Sequence, residues 1–233
     1  MRQYLNASRT LNYSLFLTAP LLMVYELGIH LLFRDAYYEV RNTGDVMIRN
    51  ALVLLQLNNR WIISGLLVLT FAGTMAYGYR REKHASLRSI YFPWMLIEGA
   101  LWGLILFLIL ALLAALPLMV GSLSERLAQY NLALGAGIYE ELVFRAILIP
   151  VLITIGYHAF GFSRTVSTLL ALAGAALIFA SFHLLMETFN PLIFLQRAAG
   201  GVLLGTLYLQ RGYGIAVYSH VSFNLITLLQ AGV

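Results

Sequence analysis

Cysteine is absent from the 233 residues, so the chain forms no disulfide, uses no thiolate nucleophile and holds no cysteine-ligated metal; the redox compartment stays open. Charge is scarce as well. Only 11% of residues are charged against 61% apolar, and the mean hydropathy of +0.81 lies outside the range of an ordinary soluble domain. There is no internal repeat, no low-complexity tract and no residue alternation of the kind a transmembrane barrel requires. The net charge of +5 comes from basic residues set between apolar stretches, not along a stripe with interleaved aromatics, which speaks against a nucleic-acid partner. The solvent for most of the chain is therefore the lipid bilayer.

A bilayer core takes roughly 20 apolar residues per helical crossing. Because unpaired backbone groups are costly in lipid, each long apolar run must be a helix. The expected fold is all-α: a polytopic transmembrane helical bundle of about seven crossings, or eight if one short segment also spans. Crossings are expected near 13–33, 61–79, 93–119, 131–155, 166–186, 192–210 and 214–231, in a single integral membrane domain over residues 1–233. The segment from Val46 to Leu57 carries Arg49, Asn50 and Gln56 and is too short to span, so it reads as an interfacial helix. Arg2 and Arg9 precede an apolar run from Leu11 to Phe33 that is too long for a signal-peptide core and lacks a cleavage pattern; it reads as a retained first helix. Loop charges favour a cytoplasmic N-terminus, with Arg2, Arg9, Arg80, Arg81, Lys83, Arg88, Arg164 and Arg211 inside against Arg34, Arg41, Arg49, Arg60 and Arg126 outside.

Within the fourth apolar run, Glu140, Glu141 and Arg145 place three ionisable groups near the middle of an expected crossing. At roughly 3 kcal/mol per unpaired charge at a helix centre, they must face a protein interior and have partners. Glu141 and Arg145 are four apart with the acid nearer the N-terminus, the favoured order for an intrahelical ion pair. On an α-helix Glu140 is rotated about 100° from Glu141, which leaves Glu140 for chemistry. Phe179 and His183 are also four apart, so that a ring can orient an imidazole; so are His220 and Asn224, two hydrogen-bonding side chains on one face of an apolar helix. Together these groups suffice to activate a water and stabilise an oxyanion.

Glu-Glu-x-x-x-Arg at 140–145, Phe-x-x-x-His at 179–183 and His-x-x-x-Asn at 220–224 resemble, in this order, the motifs of the CPBP family of CAAX prenyl proteases and bacteriocin-processing or immunity proteins. The stretch from Asn190 and Pro191 through Gly200, Gly201 and Gly205 to Tyr208 resembles that family's penultimate helix, although Arg197 stands there where an apolar residue is expected. The resemblance covers roughly residues 131–231, the expected catalytic core. It implies a CAAX-type intramembrane glutamic endopeptidase in a bacterial or archaeal cell membrane, acting on a peptide or membrane-associated protein tail without a cofactor. Carried over residue by residue, it implies that Glu140 with His183 activates water and that His220 and Asn224 steady the oxyanion, with Glu141, Arg145 and Phe179 in support.

Other membrane-protease chemistries lack their signatures. There is no His-Glu-x-x-His, no Gly-x-Ser-Gly, and the two aspartates, Asp35 and Asp45, both fall in the first loop. Three alternatives stay open: a zinc site built from Glu140, His183 and His220; a non-catalytic immunity or partner protein on the same scaffold; and a transporter with Glu26, His30, Glu98, Glu140 and Glu141 as a proton relay.

Overall fold

Among the described residues, four helices are long and apolar enough to cross a membrane: α2 (Leu11–Leu32), α5 (Tyr91–Ala111), α8 (Arg164–Phe182) and α9 (Pro191–Arg211). They coincide with four of the expected crossings. The computed structural model describes residues 1–32, 41–54, 56, 60–81, 87–113, 123–185 and 188–230, and among these every regular element is helical. The remaining helices are α1 (Arg2–Ser8), α3 (Thr43–Val53), α4 (Arg60–Arg81), α6 (Leu123–Gly135), α7 (Ile149–His158) and α10 (Tyr213–Gln230). A π-helical segment, Ala136–Leu148, joins α6 to α7 without a break, and a single 3₁₀ turn, His183–Leu185, ends α8.

Lipid as solvent explains the pattern of exposure. On α5, Leu101, Ile105 and Leu108 face outward, while the small residues Gly99 and Gly103, with Leu106 and Leu110, face the bundle interior. Small residues on the inner face let helices approach closely where no hydrophobic force separates protein from hydrocarbon. The segments expected to cross at 61–79, 131–155 and 214–231 are helical over their described residues. Within α4 the described apolar stretch is Ser64–Tyr77, the π segment carries three charges, and α10 carries the polar residues Ser219, His220, Ser222, Asn224 and Thr227.

The core lies where α2, the π segment and α10 meet, built from Leu22, Tyr25, Ile29, Ile138, Tyr139, Tyr213, Val217 and Val221. The segment from Val46 to Leu57, expected as an interfacial helix, is helical as α3 from Thr43 to Val53 and packs on this core through Ile48, while residues 55 and 57 lie outside the described residues. Asn42 caps its N-terminus by accepting from the Gly44 backbone N–H at 2.9 Å, and Asp45 and Arg49 are buried. Sequence distance hid their partners. Arg49 bonds Asp45 (2.6 Å) within α3 and Glu26 (2.8 Å) on α2; Asp45 also takes Arg41 and the Tyr25 hydroxyl (2.7 Å); and Glu26 takes Ser64 and Tyr139, each at 2.7 Å. Arg41 and Arg49 are thus interior cations and not loop charges that report topology.

Candidate active site

Glu140 and Glu141 lie in the π segment, where backbone hydrogen bonds run to the fifth residue along; such segments are rare and frequent at functional sites. The rotation expected for an α-helix therefore does not apply, yet the two carboxylates still part company. Glu141 is fully enclosed and pairs with Arg145 at 3.1 Å, as the spacing predicts. Glu140 instead lines a cavity of about 600 Å³. Its Oε1 accepts from Asn42 Nδ2 at 2.8 Å, and its Oε2 lies 4.0 Å from His220 Nε2.

His220 reaches this position because α10 packs tightly on the π segment. A side chain at Gly137 would collide with Val221 and come within 3.1 Å of the Val217 carbonyl, so glycine there permits the close approach. The Tyr213 hydroxyl donates to the Ile138 carbonyl at 2.9 Å and sets the register between the two elements. His220 Nδ1 then meets Glu141 Oε1 at 2.8 Å, a bond the sequence reading did not foresee. A carboxylate can only accept, so Nδ1 carries the hydrogen and the Nε2 edge faces Glu140.

His183 sits where α8 gives way to the 3₁₀ turn, and its side chain also lines the cavity. Its Nδ1 is 3.0 Å from the Phe179 carbonyl, which by the same argument puts the hydrogen on Nδ1 and leaves Nε2 as the free edge. The Phe179 ring stands edge-on to His183, with centroids 4.8 Å apart, and the Arg145 guanidinium lies over that ring at 4.4 Å. Neither Arg145 Nη atom makes a directed hydrogen bond among the described residues, so the cation is held by Glu141 and the Phe179 face. Asn224, one turn beyond His220, lines the same cavity and donates weakly to the Ala133 carbonyl at 3.4 Å.

All four residues expected to do chemistry thus open on one cavity, although no hydrogen bond or ion pair joins Glu140 to His183. Sequence reasoning missed Asn42, Gln129 and Gln196, and it named Arg197 without a role; Gln129, Gln196 and Arg197 line the cavity beside Leu106, Leu110 and Ile193. For Asn42 a signal existed: asparagine followed by Asp45 in the next turn is a helix start. Among the described residues no three His, Asp or Glu side chains cluster as a metal-ligand set, and Glu140, His183 and His220 do not form one. Glu26 and Glu98, two residues of the alternative relay, are bound elsewhere, Glu26 to Arg49 and Glu98 to Arg211 at 2.5 Å.

A family model described as Rce1-like, type II CAAX prenyl endopeptidase, matches residues 100–226, more than half of the chain. The chain belongs to this family. Membership makes it an integral membrane peptidase whose substrate class is a membrane-associated peptide. The matched span contains Glu140, His183, His220 and Asn224 and leaves out α1 to α4. No curated protein and no solved structure matches the chain.

Proposed function

We propose that the chain is a glutamate-dependent intramembrane endopeptidase of the CAAX type, with residues 131–231 as its catalytic core, seven crossings and a cytoplasmic N-terminus in a bacterial or archaeal cell membrane. The observation that carries this reading is the convergence of Glu140, His183, His220 and Asn224 on one largely apolar cavity of about 600 Å³. That volume suits a short stretch of peptide. Glu140 takes a proton from water as the oxygen attacks the scissile carbonyl carbon, with His183 orienting the water. The carbonyl electron pair moves onto oxygen, where an Asn224 N–H and, in the imidazolium form, His220 Nε2–H donate to it. When the C–N bond breaks, Glu140 returns the proton to the leaving amine.

The 4.0 Å between Glu140 Oε2 and His220 Nε2 favours a second assignment, in which His220 shares the water with Glu140 and His183 faces the oxyanion. A water about 2.8 Å from each atom fits beside that gap. Replacing each histidine by glutamine separates the two readings, since the partner of the attacking water should show the larger fall in kcat. The reaction needs no metal in either case. Peptide cleavage by membranes carrying wild type or Glu140→Gln protein tests the central claim: the variant should be inactive. Activity lost on exhaustive chelation and restored by zinc would overturn the metal-free route.

A further inference from the structure

We infer that Asn42, which lies outside the family-matched region, is a positioning residue that sets the orientation of the Glu140 carboxylate. Its side chain has two jobs that fix each other. Oδ1 accepts from the Gly44 backbone N–H at 2.9 Å and caps α3; because the amide is planar, that bond decides where Nδ2 points, and Nδ2 donates to Glu140 Oε1 at 2.8 Å. This is the one hydrogen-bond donor to Glu140 among the described residues, and Glu140 is 4% exposed. With Oε1 held, Oε2 is the oxygen turned toward His220 Nε2.

The placement of Asn42 is itself determined. A Cβ on Gly44 would stand 2.9 Å from both the Glu140 backbone nitrogen and the Tyr139 carbonyl carbon, so the first turn of α3 rests on the π segment at the glutamate itself. Asp45, bonded to Arg41, Arg49 and Tyr25, and Arg49, bonded to Glu26, tie α3 to α2 and prevent it from sliding. The matched region thus contributes the carboxylate and the N-terminal third contributes its aim. An error near 1 Å in a reacting group costs as much as about a hundredfold in rate, so such a contact is felt in kcat.

The inference rests on Glu140 being the base, and the test separates the two. Asn42→Ser and Asn42→Asp both keep a cap oxygen for the Gly44 N–H. The serine removes the amide donor, whereas the aspartate sets a second carboxylate against Glu140. In purified full-length protein, kcat for a model peptide should fall about tenfold in Asn42→Ser, as for a lost hydrogen bond to a charged group. The fall should be larger in Asn42→Asp, with KM of both at the wild-type value, Tm lowered modestly in Asn42→Ser and further in Asn42→Asp, and kcat taken per folded molecule. Wild-type kcat per folded molecule in Asn42→Ser, a loss of cleavage wholly accounted for by a smaller folded fraction, or failure of both variants to fold would overturn the assignment and leave Asn42 a structural cap. Glu140→Gln is assayed in parallel. If it cleaves normally the base assignment fails; if it is inactive while Asn42→Ser is normal, only the role of Asn42 fails.

Discussion

Glu26 and Glu140 are buried to the same degree, 5% and 4% exposed, but their surroundings differ. Glu26 is saturated: Arg49 contacts both oxygens, and Ser64 and Tyr139 donate to it. Glu140 receives one amide N–H and faces a cavity, with His220 at 4.0 Å as its nearest basic group. Desolvating a carboxylate is expensive, and in the Glu26 cluster that cost is offset by a guanidinium and two hydroxyls. At Glu140 much of the compensation is withheld, so a lone pair remains to accept a proton. Burial alone does not separate the two carboxylates; incomplete pairing beside an accessible space does, and it is the ground for proposing Glu140 and not Glu26 as the base.

Substituting each carboxylate in turn is the sharpest way to break this comparison. Glu140→Gln should lower cleavage per folded molecule at least about a hundredfold with Tm unchanged, the loss typical of general-base catalysis. Glu26→Gln should do the reverse, retaining activity per folded molecule while stability falls by about 3 kcal/mol, because Arg41 and Arg49 are then left to share the single carboxylate of Asp45 in the interior. Thermal unfolding and peptide cleavage on the same preparations decide it, and a stable but inactive Glu26→Gln would show that the two clusters are not separable.

A smaller effect sharpens the distinction inside the site. Glu141→Gln strands Arg145 and should cost on the order of 3 kcal/mol. Adding Arg145→Met removes the stranded charge and should recover part of that stability, read as non-additivity in a double-mutant cycle. Since His220 Nδ1 also bonds Glu141, the folded fraction of Glu141→Gln should lose some activity as well. The smallest effect is expected at Phe179. Phe179→Leu keeps apolar volume but gives up the ring face beneath Arg145 and the edge contact to His183, so stability should fall by about 1 kcal/mol in unfolding measurements. No change there would mean that the guanidinium draws nothing from the ring.

Much of this was legible in local patterns. Apolar run length identified α2, α5, α8 and α9, and the four-residue spacings identified the Glu141–Arg145 pair and the Phe179–His183 contact. What escaped reading has a common cause. Asn42 to Glu140, Arg49 to Glu26 and His220 to Glu141 join residues 98, 23 and 79 positions apart, and no local periodicity encodes such a pairing. The π segment escaped as well: the i, i+4 spacings along it read as an ordinary α-helix, and its close contacts with α3 at Gly44 and α10 at Gly137 come from residues distant in sequence.

From the sequence alone followed the membrane as solvent and the all-helical architecture, because hydrocarbon allows long apolar runs no other way to satisfy their backbone, along with the residue types able to act on water. Tertiary structure decided which of those residues meet. It turned Glu140 to the cavity and Glu141 to Arg145 and His220, buried Arg49 where a loop charge was expected, and brought Asn42 from outside the family core to the carboxylate. Those outcomes depend on close backbone approach and on pairing charges across elements. Both are settled only when the helices pack, since the cost of an unpaired charge depends on what surrounds it.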